Sequence, residues 1–387
     1  MDSNVVVLGG GIGGVAATSR LSRELSSLGS GGQVVLVERD LAHPFAPSFP
    51  WVMSGTRRPE QVTADLRRLR GRAVDLVRGE VLQVDPDEQV VQTTTGTIGY
   101  RWLVIALGAE LAPEALPGFT EGAHNVYTLD GADAAGRALR SFEGGRLAVV
   151  VSRLPYKCPA APYEIALLAE AVLRDRGVRD RVSIDVYTPE PYPMPTAGPA
   201  IGRALTTLLS ERGISLHPQS SVDHVEPASR ELVFADGARA SYDLLFGVPP
   251  HRAPEAIRRS GLAGDSGFVP VDPHTLAAEA EGVFGIGDVA QIPIADGKFL
   301  PRAGVFAAAQ AKVVARRIAR EIAGRRPTAT FDGRGSCLVE IGNGRAAHAA
   351  GDFYDADGPR VRLHRPGRRW HLTKVALERR WMRRWFR

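Results

Sequence analysis

Short runs of apolar, largely β-branched residues recur along the 387-residue chain, separated by stretches with helical spacing. Val5-Val6-Val7-Leu8 is one such run; a helical stretch leads from Val15 toward Leu28, and Gln33–Val37 forms a second run. Apolar runs without polar alternation predict strands buried on both faces, as in parallel sheets covered by helices. The pattern returns at 102–109, 149–151, 182–187 and 283–290, with helices predicted over 161–174 and 201–212 and short strands reaching Gly247. Pro189, Pro191, Pro193 and Pro195 predict a loop between them, because proline lacks the amide donor that regular elements need. From Pro327 onward the chain predicts a small C-terminal region: a strand carrying Cys337, a hairpin through Gly342-Asn343-Gly344, and an amphipathic basic tail; Asn-Gly is a strong hairpin signal. The fold class is therefore α/β.

The first strand meets Gly9-Gly10-Gly11-Ile12-Gly13-Gly14, which fits G-x-G-x-x-G at Gly9, Gly11 and Gly14. Glycine permits the tight turn and the close approach of backbone to a pyrophosphate, whose charge meets the helix N-terminus. Glu38 closes the second strand at the distance where an acid accepts ribose hydroxyls, with Arg39 beside it. Strand, loop, helix, strand and terminal acid together predict a Rossmann-like dinucleotide-binding unit. Gly145–Val151 reads as the first strand of a second such unit. Its loop, Ser152-Arg153-Leu154-Pro155-Tyr156-Lys157-Cys158-Pro159, holds no glycine, and two prolines and a tyrosine remove donors and fill space. That loop predicts no seat for NAD(P)H and offers a thiol instead.

Cys158 and Cys337 are the only cysteines. The segments 156–164 and 336–344, with Gly267-Phe268-Val269-Pro270-Val271-Asp272, resemble the cysteine motifs and following stretch of sulfide:quinone oxidoreductases and of the flavocytochrome c sulfide dehydrogenase flavoprotein. The runs Trp102–Ala109 and Val283–Ala290 resemble the later FAD-binding stretches of two-dinucleotide-binding-domain flavoproteins, and 303–312 looks like the helix that aims at the flavin ring. The resemblance covers essentially the whole chain. It implies FAD held through Gly9, Gly11, Ile12, Gly13, Gly14, Glu38, Arg39, Val81, Ala106, Gly108, Gly287, Asp288, Ala303, Gly304 and Val305. It also implies catalysis by Cys158 and Cys337 with Glu164 moving protons, sulfide or a small thiol or persulfide as donor, and a quinone as acceptor. By itself Glu164 reads equally as a first-turn glutamate complementing its helix dipole. A thiolate is the reactive form, and adjacent Lys157 and the helix start are expected to favour it. Many relatives carry a histidine near Met194 and a third cysteine before Cys158; neither occurs here, and without that cysteine no cysteinyl-flavin bond of the flavocytochrome type is expected, so FAD is expected to be noncovalent.

Composition adds limits. No uncharged apolar run reaches about 18 residues, so no transmembrane helix is expected. The short lead into the first strand predicts no secretory signal and a cytoplasmic location. No metal is expected. The net charge is +5, yet residues 359–387 hold ten Arg and one Lys against Glu378 alone, leaving the rest acidic. On a helical wheel Trp370, Leu377, Trp381 and Trp385, with Val375, Met382 and Phe386, oppose Arg379, Arg380, Arg383, Arg384 and Arg387. Such a helix suits an anionic membrane surface, with the aromatic side facing lipid. No nucleic-acid partner is expected, and an oligomer is possible. The expected organisation is an FAD domain over 1–115 and 272–325, a second Rossmann-like domain over 116–271, and a C-terminal region over 326–387. A type II NADH:quinone dehydrogenase and a flavin-bearing binding protein are the competing readings.

Overall fold

The structure is a computed structural model that describes residues 5–29, 33–69 and 74–386. Two five-stranded parallel sheets carry it. In the first, the strand order is Val283–Gly285, Trp102–Ile105, Val5–Leu8, Val34–Glu38 and Val74–Arg78, every neighbouring pair parallel. Val5 to Leu8 are wholly buried, as their unbroken apolar run requires. The helices Ile12–Leu28 and Gly304–Ile322 pack together on this sheet.

The second sheet runs His124–Asn125, Leu244–Val248, Gly145–Val151, Val182–Tyr187 and Ile214–His217, again all parallel. Its helices include Ala161–Asp175 and Pro199–Ser210. The proline-rich stretch between them forms a loop broken only by the single turn Pro195–Ala197. The expected hairpin is present: Arg334–Glu340 pairs antiparallel with Ala346–Asp352, and Asn343 takes the left-handed conformation at φ 53°. Arg360–Gly367 adds a third strand, so Cys337 lies on the edge strand of a small antiparallel sheet.

The tail is helical over Arg368–Phe386, but its aromatic side does not face outward as expected. Trp385 and Phe386 are buried in the core of the first sheet, and Trp381 stacks on Phe45 with ring centroids 5.5 Å apart. Trp370 lies over His348, 4.2 Å between centroids. Burying Trp385 and Phe386 contributes roughly 2–3 kcal/mol each, which the intramolecular groove offers without waiting for a bilayer. Leu372 and Leu377 are the large apolar side chains of this helix left exposed.

Candidate active site

The glycine loop is built by contacts that admit no side chain at its two ends. A Cβ on Gly14 would stand 1.7 Å from the Gly9 carbonyl oxygen, and one on Gly9, at φ 95°, would stand 2.6 Å from that of Ala106. Gly11 and Gly108, in contrast, face open space. Gly13 looks toward Ile286 and Ala307, while Gly304 abuts Ile12, so loop, Gly-Asp segment and ring helix converge. The Glu38 carboxylate accepts from the Gly10 amide at 2.5 Å and from the Asp40 amide at 3.1 Å. This cradle fits a dinucleotide such as FAD: open space over two glycines, a helix start, and an acid at the ribose end.

Other expected ligands stand in different relations. Asp288 sits in the turn Gly287–Val289, where burial raises its pKa while the charges of Lys157 and Arg302 pull it down. The Gly287 amide already donates to Gln310 Oε1 at 2.7 Å. Ala303 caps the helix that starts at Gly304, and Val305 in its first turn is exposed. Arg39 points to solvent and pairs with Glu80 at 3.5 Å, so it is not drawn into the cradle. Val81 opens the separate antiparallel strand Val81–Asp85.

The two cysteines, far apart in sequence, share one cluster. Both are free thiols packed against the core of the second sheet. Burial pushes the Cys158 thiol up most strongly, and the nearby Cys337 and Glu164 push it further, while Lys374 opposes them. Cys337 rises to about 11, first through burial and then through Glu164, again opposed by Lys374. Cys158 is held by its backbone in the left-handed region at φ 51°. Its amide donates to the Arg302 carbonyl at 2.7 Å, and its carbonyl receives the Ala161 amide and the Tyr127 hydroxyl.

Lys374 of the tail helix is the cation beside these thiols, in place of the expected Lys157, whose charge acts on Asp288 and His251 instead. Lys374 Nζ donates to Glu164 Oε1, both side chains being buried. Burial alone would discharge Lys374, but Glu164, Glu340 and Cys337 outweigh it and hold the ammonium protonated. Burial raises Glu164, and Lys374 together with a backbone amide of Glu340 partly restores its charge. Lys374 also sits 5.0 Å from the centroid of buried Trp51, whose ring Arg57 covers at 4.7 Å. Two further bonds fasten the helix here: Arg57 Nε to Glu378 at 3.0 Å, and His371 Nδ1 to Glu340 at 2.9 Å. A final contact ties the helix to the glycine loop, for Trp381 Nε1 donates to His43 Nε2 at 3.2 Å while His43 Nδ1 bonds the Gly10 carbonyl at 2.8 Å.

In the second unit, the glycine-free loop is filled from within. Tyr156 and Tyr163 are buried and both donate to Glu190 Oε2, Tyr156 at 3.0 Å, with Thr188 Oγ1 adding a third bond at 3.3 Å. Glu190 follows the strand Val182–Tyr187, where a dinucleotide-binding unit would present its ribose-binding acid. Here that acid is turned inward and saturated. Burial raises its pKa despite the three donors.

A glycine-loop cradle on one parallel sheet, and a thiol in the corresponding loop of the second sheet joined by a thiol from the small antiparallel sheet, define the class. The chain belongs to the pyridine nucleotide-disulphide oxidoreductase family, which matches residues 3–311, and is an oxidoreductase of that flavoprotein class. Within it, the chain is 28% identical over 367 residues to mitochondrial sulfide:quinone oxidoreductase of Mus musculus, covering 90% of this chain and 78% of that protein. It is 26% identical over 405 residues to the sulfide-quinone reductase of Aquifex aeolicus, covering 98% and 90%. The crystal structure of the sulfide:quinone oxidoreductase from Aquifex aeolicus shares the fold with a TM-score of 0.86 at 24% identity, over 98% of this chain and 91% of that one.

Proposed function

We propose that this protein oxidises sulfide, or a small thiol or persulfide in its place, through Cys158 and Cys337, and passes the electrons by way of noncovalent FAD to a membrane quinone. The observation that carries this reading is the shared cluster of the two thiols with Glu164 and Lys374. The relatives named for sulfide and quinone support it.

In the oxidised state the two sulfurs form a disulfide. Hydrosulfide attacks one sulfur, the S–S bond breaks, that cysteine becomes a persulfide, and the other leaves as a thiolate. The sulfide sulfur is oxidised as the leaving cysteine is reduced. Lys374 stabilises the emerging thiolate, whose pKa burial otherwise keeps high. Glu164, buried and raised, takes the proton released by the incoming hydrosulfide and returns it to solvent through its partners. A second hydrosulfide attacks the outer persulfide sulfur and carries it away as a hydropolysulfide, leaving both cysteines as thiolates. Their return to the disulfide releases two electrons, for which FAD, when bound, would be the acceptor on the way to quinone. Tyr156 and the saturated Glu190 keep a nicotinamide dinucleotide out of the second unit.

We assign cofactor binding to residues 1–115 and 272–325, the thiol-bearing second unit to 116–271, and the tail to 326–387. The enzyme acts as a peripheral protein on the cytoplasmic face of a membrane; no helix among the described residues is long and apolar enough to cross one. Anaerobic sulfide should bleach the flavin and a short-chain quinone should restore its colour. A flavin that ignores sulfide defeats the reading.

A further inference from the structure

Where the tail helix meets the helix Ile12–Leu28, which packs on Gly304–Ile322, five arginines gather with a single acid, Glu24, among them. Arg20 and Arg23 come from the first of these, Arg316 from the second, and Arg380 and Arg384 from the tail. Arg57, Arg212, Arg239 and Arg252 all find carboxylates elsewhere in the molecule, yet none of these five forms an ion pair with a described residue. Arg20 Nε is buried with no acceptor among the described residues. Burial lowers the Arg20 pKa, and the charges of Arg384, Arg23 and Arg316 lower it further, against one weak opposing acid, Glu24. A desolvated guanidinium crowded by like charges is unfavourable unless an anion completes it. The arrangement is also fixed in place: Arg23 and Arg384 both lie over the buried Trp385 ring, at 5.5 and 4.7 Å from its centroid.

The same place has an apolar half. A shallow groove of about 750 Å³ runs along the tail helix from Leu372 and Ala376 to Arg380 and Arg384, with Arg23 on its far wall. Those four helix positions are spaced four residues apart and so form one stripe, about 18 Å long. Its first half is aliphatic, with Leu372 63% exposed, and its second half is cationic. An amphiphile with an anionic head has that pattern, and guanidinium forks match phosphate oxygens.

We propose that this groove is a binding site for an anionic phospholipid, its phosphate held by Arg23, Arg380 and Arg384, with the charges of Arg20 and Arg316 behind them, and an acyl chain lying on Leu372, Val375 and Ala376. The proposal rests on the membrane-surface reading above and adds a specific headgroup site to it. It also reverses the expected orientation, since the aliphatic and arginine stripe meets lipid while the tryptophans serve the fold.

The test is vesicle flotation of the full-length, FAD-loaded protein with phosphatidylcholine alone and with added phosphatidylglycerol. The wild type should bind the anionic vesicles at least about tenfold more tightly, and Arg23→Glu/Arg384→Glu should remove that preference. Its flavin spectrum and its reduction of a soluble quinone should stay those of the wild type. If the double reversal loses flavin, Arg23→Gln/Arg384→Gln serves, with a smaller drop expected. Equal flotation on both vesicle types, unchanged in the variant, overturns the headgroup site while leaving membrane association standing. No flotation of the wild type on either overturns both. Inorganic phosphate that abolishes flotation at millimolar concentration identifies a free anion as the ligand and overturns the lipid. Variant-sensitive capture of single-stranded RNA without flotation does the same.

Discussion

The loops that follow the first strand of each parallel sheet have opposite interiors. Gly9–Gly14 clears space: its end glycines touch backbone so closely that no side chain fits, and Gly11 opens onto solvent. Ser152–Pro159 closes space, as Tyr156 drops inward to join Tyr163 on Glu190. The two units share a topology of strand, loop, helix and strand, but only one retains the donor-rich surface a pyrophosphate requires. The other carries a thiol, held in a left-handed conformation and facing a second thiol from the C-terminal sheet. A single fold thus holds an open nucleotide cradle in one copy and a closed, thiol-bearing loop in the other.

This contrast breaks most severely at Gly14. Gly14→Ala should yield protein without bound flavin, read as loss of visible absorbance, whereas Tyr156→Gly should keep its flavin and still fail to use NADH. Cys158→Ser and Cys337→Ser should each retain flavin while sulfide-driven bleaching slows about a thousandfold, as expected when one member of a cooperating pair is removed. Full activity in both variants would contradict the pair. Lys374→Met leaves Glu164 buried without its partner, so unfolding in urea should show a loss of about 3 kcal/mol, largely recovered in Lys374→Met/Glu164→Gln. The reduced single variant should also react with iodoacetamide more slowly, its Cys337 needing a pH beyond the wild-type value of about 11.

A smaller effect tests the link between glycine loop and tail. Burial holds His43 down to about 4, with the Gly10 carbonyl opposing. It stays neutral in the folded state, donating from Nδ1 and accepting Trp381 at Nε2. Its contribution is therefore complete above the ordinary histidine value of 6.5 and is lost as pH falls toward 4. About 3 kcal/mol should disappear across that window, and His43→Gln should flatten the profile. Smallest of all, Tyr156→Phe should cost about 1 kcal/mol, the value of one buried hydrogen bond with other donors still in place.

Much of this was legible in the residues themselves. Unbroken β-branched runs identify buried parallel strands, and glycine spacing identifies the cradle, because both follow from local sterics. The missing glycines of 152–159 likewise foretell a closed second loop. The partners of the tail were not legible, since Lys374 finds Glu164 and Trp381 finds His43 across long stretches of chain. A helical wheel separates the two faces of 368–386 but is silent on which one a distant groove covers. Hence the tryptophans read as lipid-facing, although Phe45, His43 and the first core take them. Lys157 misled for a related reason: sequence adjacency to Cys158 says little where the backbone turns through φ 51°.

The most direct test is an anaerobic stopped-flow experiment that mixes the FAD-loaded enzyme with sulfide in one syringe and NADH in another run, following flavin absorbance. Rapid bleaching by sulfide, absent in Cys158→Ser, with no response to NADH is the predicted result. Bleaching by NADH, or by sulfide at an unchanged rate in the serine variant, would contradict the account.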